Sequence, residues 1–333
     1  MTTFDEAAGA RSESTLEAPP IGGAPPITDE PFEPPKGLAR LLPLGDLLGE
    51  LLDEAEADHA AKLSGTPRGP VTGFPLLDLD LGGRLMPGYH VLHGNTAAGK
   101  TGLALQVAAQ CGCPALFVTC EMSPIELFRR VIARTANVFL HDLKNGVFTR
   151  QAFAEKAGAA LKTCPQLALV DATRAHVTAD EIGLAAEIWR EHHKAEHILL
   201  CLDSLHAWAR RSATFREEGE YEGLGVAIGE LQLLAAELAA PILVINERNR
   251  GSAAGGGVNA AAGHRAIEYG AETVLSLNRE TIKDNKGNDT HRPKPFDARG
   301  EVGAYIAIEK NRHGAGGRFE MTDCGRLQKF SEA

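Results

Sequence analysis

Aromatic residues are scarce, at 5% of 333 positions, so a core has to be built from Leu, Ala, Val and Ile. No apolar run approaches the roughly 20 residues that a membrane-spanning helix needs. The opening Met1-Thr2-Thr3-Phe4-Asp5-Glu6 has neither the basic start nor the apolar stretch of a secretory leader, so a cytoplasmic address is expected. The six cysteines are scattered. Cys111-Gly112-Cys113 lacks the two-residue spacer and second pair of a zinc site, so buried free thiols are expected and no metal is assigned to them. Positive charge is short overall, with a formal net charge of −10. That balance normally argues against a nucleic-acid partner. The deficit is local, however. Residues 1–60 hold 13 Asp and Glu against 3 Lys and Arg, and the remainder is balanced at 31 against 31. A locally basic surface on the main domain stays open.

What the chain does contain falls into three stretches. Residues 1–37 are acidic and broken by Pro19, Pro20, Pro25, Pro26, Pro31, Pro34 and Pro35. Such a segment buries too little apolar surface to offset its ordering entropy and is expected to be disordered, a short partner-binding motif being the alternative. In 38–70, Leu44, Leu47, Leu48, Leu51 and Leu52 recur at helical spacing between acids, which predicts an amphipathic helix over about 41–61. Its apolar stripe is covered either by its own domain or by a neighbouring subunit.

Residues 71–333 alternate strands and helices. Strands are expected at 89–93, 115–119, 167–171, 197–203, 242–246, 272–277, 304–309 and 318–322. Helices are expected at 100–110, 123–134, from 178 to about 191, and at 222–239. Ser123 with Glu126, and Thr178 with Glu181, read as capping boxes. This order means an α/β domain whose mostly parallel sheet is covered on both faces. Residues 280–301 read as an exposed hairpin or disordered arm inserted between strands.

Gly94-Asn95-Thr96-Ala97-Ala98-Gly99-Lys100-Thr101 fits G-x-x-x-x-G-K-[ST] between a strand and a helix that continues through Gly102. Its glycines let backbone N–H groups turn toward phosphate oxygens, and the helix N-terminus adds a favourable dipole. Lys100 is expected on the β- and γ-phosphates of ATP and Thr101 on Mg²⁺. Ile198-Leu199-Leu200-Cys201-Leu202-Asp203 ends a strand in the carboxylate that such a Mg²⁺ requires. Glu121, just past the next strand, is placed to orient or deprotonate the attacking water.

Several stretches together resemble the C-terminal ATPase domain of DnaB-type hexameric replicative helicases, a RecA-like P-loop fold. Thr72-Gly73-Phe74-Pro75-Leu76-Leu77-Asp78 and Met86-Pro87-Gly88 resemble the lead-in to the phosphate loop. Cys120-Glu121-Met122-Ser123 resembles S-L-E-M-S, Asn246-Glu247-Arg248-Asn249-Arg250 sits at S-Q-L-N-R, and Ala266-Ile267-Glu268-Tyr269 resembles S-I-E-Q. Glu309-Lys310-Asn311-Arg312-His313-Gly314 resembles A-K-Q-R-N-G. The resemblance covers about 40–330. It implies Glu121 as catalytic glutamate, Glu247 at the γ-phosphate-sensing position, and Lys310 and Arg312 acting on ATP bound by an adjacent subunit. It further implies a homo-oligomeric ring, a hexamer, closed by the Leu44–Leu52 helix, acting on single-stranded DNA with replication partner proteins.

Three departures stand out. The family's primase-engaging N-terminal domain has an acidic stretch in its place, the sensing glutamine is Glu247, and the DNA-contacting loop reads Asn259-Ala260-Ala261-Ala262-Gly263-His264-Arg265 without L-R-E-S-G. Candidate DNA contacts are Arg210 and Arg211 (with Arg216 and Phe215) in a loop after Asp203, then Arg248, Arg250, His264 and Arg265. The expected activity is that of a DNA-dependent ATPase and helicase or translocase. The alternative is a RecA-like regulatory or recombination-associated ATPase whose nucleotide state switches assembly without unwinding.

Overall fold

A computed structural model describes residues 41–247, 267–283, 289–293 and 301–333. The acidic tail before them, and Arg248, Arg250, His264 and Arg265, lie outside the described residues. The chain divides into two units, Met1–Asp58 and His59–Ala333. A 3-10 turn at Leu44–Leu47 leads into helix α1 (Leu48–Ser64), none of whose residues is buried. Leu44, Leu48, Leu51 and Leu52 are each more than half exposed.

The second unit runs α2 (Pro75–Asp80), β1 (Gly88–Gly94), α3 (Lys100–Gln110), β2 (Ala115–Thr119), α4 (Pro124–Thr135), α5 (Leu140–Lys144), α6 (Arg150–Thr163), β3 (Leu167–Asp171), α7 (Ala179–His192), β4 (Leu199–Asp203), α8 (Leu205–Ala209), α9 (Ala213–Glu218), α10 (Glu220–Glu237) and β5 (Pro241–Glu247). It ends with β6 (Thr273–Arg279), the short antiparallel pair β7 (Thr281–Lys283) and β8 (Asp289–Pro293), then β9 (Val302–Asn311), β10 (Gly317–Cys324) and β11 (Lys329–Glu332). Nine strands form one sheet in the order β11-β10-β9-β6-β1-β5-β4-β2-β3. From β6 to β3 the pairing is parallel; β9, β10 and β11 add an antiparallel edge.

The central strands are apolar at nearly every position because both faces are covered, as parallel sheets require. In β4, Leu199 and Cys201 face the layer formed by α3, α4 and α6, while Leu200 and Leu202 face that of α7, α8 and α10. Each buried leucine contributes about 1.5–3 kcal/mol by leaving water. All six cysteines are free, and five are buried. Among the described residues no helix is long and apolar enough to cross a membrane.

Local signals worked unevenly. Thr178 and Glu181 make a full capping box. At α4 only half of one forms: Ser123 Oγ accepts from the Glu126 N–H at 3.4 Å, but the Glu126 carboxylate turns to Arg129, Arg130 and Lys144. Three nearby cations outcompete one backbone N–H. Helices α5 and α6 were not anticipated; α6 is Ala-rich, and Ala160 is its one buried residue, so it offers little hydrophobic periodicity. The segment after Asp203 is helical (α8 and α9), correcting the expected loop, because Trp208 is buried there with its indole N–H on the Val177 carbonyl at 2.7 Å.

Candidate active site

The phosphate loop leaves the end of β1 and re-enters at α3. Gly99 has φ +100, a left-handed geometry that favours glycine. A Cβ there would also lie 2.9 Å from the Phe330 ring of β11. Lys100 is buried, and its Nζ donates to the Gly94 and Asn95 carbonyls at 2.9 and 3.0 Å. Burial pulls its pKa down, while Glu247 opposes the shift.

Three carboxylates converge on this loop because β2, β4 and β5 lie on one side of β1 and run in its direction. Asp203, at the end of β4, is 4% exposed and accepts from Thr101 Oγ1 at 2.7 Å. Burial raises its carboxyl to about 6, the Thr101 bond opposes that, and the Glu121 charge adds to it. Glu121 accepts from Ser204 Oγ at 2.5 Å. Glu247 ends β5 with a carboxylate oxygen 3.8 Å from Lys100 Nζ, so the lysine offsets the negative charge that replaces glutamine there. These residues line a cavity of about 280 Å³. A hydroxyl and a buried carboxylate in contact, with a second carboxylate near, form an oxygen donor set that fits a hard cation such as Mg²⁺ shared with phosphate. The open loop backbone beside Gly99 fits the phosphates.

The cavity also holds residues that sequence reasoning missed. Arg279, at the end of β6, donates to the Ala97 carbonyl at 2.7 Å and pairs with buried Asp323 of β10. Arg130 of α4 bonds Gln328 in the turn between β10 and β11. Gln106 of α3 holds that same end, donating to the Phe330 carbonyl at 2.9 Å and accepting from its N–H at 2.8 Å. No local motif marks these residues; only the pairing of the C-terminal strands brings them to the loop.

Lys310 and Arg312 are not in this cavity. They sit at the far end of the sheet. Lys310 Nζ donates to the Glu268 and Tyr269 carbonyls at 3.2 and 2.8 Å, and Arg312 pairs with Glu272 at 3.0 Å. Of the candidate DNA contacts, Arg210 is exposed at the end of α8. The Arg211 guanidinium donates to the carbonyls of Cys120 (2.9 Å), Thr173 (2.9 Å) and Ala207 (3.4 Å). It ties the ends of β2 and β3 to α8.

Residues 69–332 match the family model described as the DnaB-like helicase C-terminal domain. The chain belongs to that family. Membership makes it an ATP-hydrolysing domain of the replicative-helicase type. It shares its fold with a protein solved as an isolated ATPase domain, at 15% identity and a TM-score of 0.69, over 87% of this chain and 99% of that one. A DnaB-like replicative helicase, solved in a study of its interactions with primase, matches at 15% identity and 0.67, over 86% of this chain and 66% of that one. The KaiC-like protein PH0186 of Pyrococcus horikoshii OT3 matches at 17% identity and 0.50, over 79% and 97%.

Proposed function

We propose that this DnaB-like domain is the motor of a ring-forming helicase or translocase. It hydrolyses ATP with Mg²⁺ at Thr101 and Asp203 and moves along single-stranded DNA in the cytoplasm. Lys100 neutralises the β- and γ-phosphates, Glu121 activates water, Glu247 takes the sensing position, and the loop from Gly94 through Thr101 to Gly102 holds the nucleotide. Lys310 and Arg312 supply the remaining positive charge to a second copy's nucleotide, most simply in a hexamer.

The observation that carries this reading is the register of β1, β6 and β9. Gly94, where the phosphate loop begins, pairs with Leu277 at the carboxyl end of β6. Arg312 hydrogen-bonds Glu272, which hydrogen-bonds Tyr89 at the other end of β1. Five residues of strand, about 17 Å at roughly 3.3 Å per residue, separate the arginine from its own phosphate loop. A guanidinium so placed is useful to phosphate only in another subunit's pocket, where an arginine finger stabilises transition-state charge. Two measurements test the reading: ATPase rate with and without single-stranded DNA, and particle mass with a non-hydrolysable nucleotide and Mg²⁺. A monomer that hydrolyses at full rate defeats it.

The commitment of Arg211 to three carbonyls favours a second reading, a RecA-like regulatory or recombination-associated ATPase that assembles without unwinding. Nucleotide-dependent assembly with no response to DNA selects it.

A further inference from the structure

We propose that Glu272 is the positioning residue for the trans-acting arginine: it holds Arg312 by one nitrogen, fixes its direction, and leaves the rest of the guanidinium for the neighbouring subunit's nucleotide. This rests on the trans role of Arg312 proposed above. An arginine on a free strand end would sample many rotamers, and ordering it at each turnover would subtract from its effect. Here the surroundings remove that freedom in steps. Glu309 is the extra residue of a bulge in β9 opposite Val274 and Leu275, and such bulges re-aim the side chains that follow. The Arg312 backbone N–H donates to the Glu272 carbonyl at 3.1 Å, and the Glu272 N–H donates to the Tyr89 carbonyl at 2.8 Å, so the arginine's base is tied to β1.

The Glu272 side chain is 18% exposed and works with both oxygens. Oε1 takes Arg312 Nη1 at 3.0 Å and Oε2 takes His313 Nε2 at 2.8 Å. His313 thus braces the carboxylate that braces the arginine, and its own backbone N–H is held by Asn311 Oδ1 at 3.1 Å. Gly88, at φ +136, leaves the room: a Cβ there would lie 2.5 Å from Glu272 Cγ. Arg312 itself remains 51% exposed, and among the described residues its other guanidinium nitrogens make no hydrogen bond. A carboxylate that sequestered the arginine would engage its fork bidentately, as such pairs do. One-point attachment at the edge of an outward-facing guanidinium is the geometry of a holder.

The test uses mixed assemblies of the full chain. Lys100→Ala subunits cannot turn over nucleotide and act only as arginine donors; Arg312→Ala subunits keep their pockets and act only as acceptors. Glu272→Gln, which preserves the shape packed against Gly88, is introduced into the donors. The expected result is a fall of about three- to tenfold in kcat at the acceptor pockets, the value of ordering one rotamer-rich side chain, with KM for ATP unchanged. An unchanged kcat, or a rise, overturns the inference. A mixture of the parent donor and acceptor that shows no turnover refutes instead the trans role of Arg312. Should Glu272→Gln donors fail to assemble in sedimentation, His313→Ala donors carry the test, with the same fall in kcat expected and an unchanged kcat again overturning the inference.

Discussion

The two ends of strands β1 and β6 were built to different rules. At the carboxyl end the chain closes on itself: Lys100 and Asp203 are buried, each bonded to groups of the same subunit, and Phe330 seals the loop from the C-terminal edge. At the opposite end Arg312 and Lys310 are held to carbonyls and a single carboxylate, with Arg312 half exposed. The first end resembles a finished site. The second is half of one, with charge presented and nothing of its own to receive it. The contrast suggests a division of labour in which binding is encoded within a subunit and hydrolysis between subunits.

Lys100→Ala gives the largest expected effect. Nucleotide binding and turnover should both fall to background, measured by titration with a fluorescent ATP analogue and by phosphate release; retained activity would remove the loop from the chemistry. Arg312→Ala comes next, with turnover down about 10³-fold or more and analogue binding kept. Mixing the two defective proteins should restore part of the activity, which happens only if the two ends belong to different subunits' sites.

Asp203→Asn separates stability from activity within the closed end. Folding raises this carboxyl to about 6, above its ordinary value, because burial disfavours the charge. The stability linked to its proton is therefore fully present at low pH and lost as pH rises through about 6. Without Mg²⁺ or nucleotide, Asn should raise Tm above pH 6 by an amount on the order of 1–3 kcal/mol in stability. The gain should fade below that pH, while turnover is lost throughout. A Tm difference independent of pH would contradict the buried charge.

The smallest effects concern DNA. Arg250→Ala combined with Arg265→Ala should flatten the salt dependence of single-strand binding by about 1.4 in log–log slope, roughly 0.7 per phosphate contact. Arg211→Ala should leave that slope alone and cost about 1–3 kcal/mol in stability, since buried carbonyls lose their donor. A slope change in Arg211→Ala would return it to the DNA-contacting set.

Much of this was legible without coordinates where one physical signal acts locally. The phosphate loop needs a fixed spacing of glycines, a lysine and a hydroxyl, so Gly94 to Thr101 declared themselves. The expected strands ending at Thr119, Asp171 and Asp203 end where the structure ends them, since apolar runs cut by a polar residue leave little choice. Helix α6 was illegible because alanine marks no face, and the Glu126 half of the capping box failed because Lys144 is not visible as a neighbour in a linear reading and joins Arg129 and Arg130 there. Arg279, Arg130, Asp323 and Gln328 carry no motif at all.

The amino-acid sequence alone determined the alternation of strands and helices and the identity of the phosphate loop, because hydrophobic periodicity and turn chemistry act over a few residues. Only tertiary structure decided which distant charges meet. The register of β9 on β6 put Arg312 beside Glu272 and about 17 Å of strand away from its own phosphate loop. The pairing of β10 with β11 brought Phe330 and Asp323 to that loop. Electrostatic roles depend on distance through space, and strand order in a nine-stranded sheet sets those distances with no local trace in the chain.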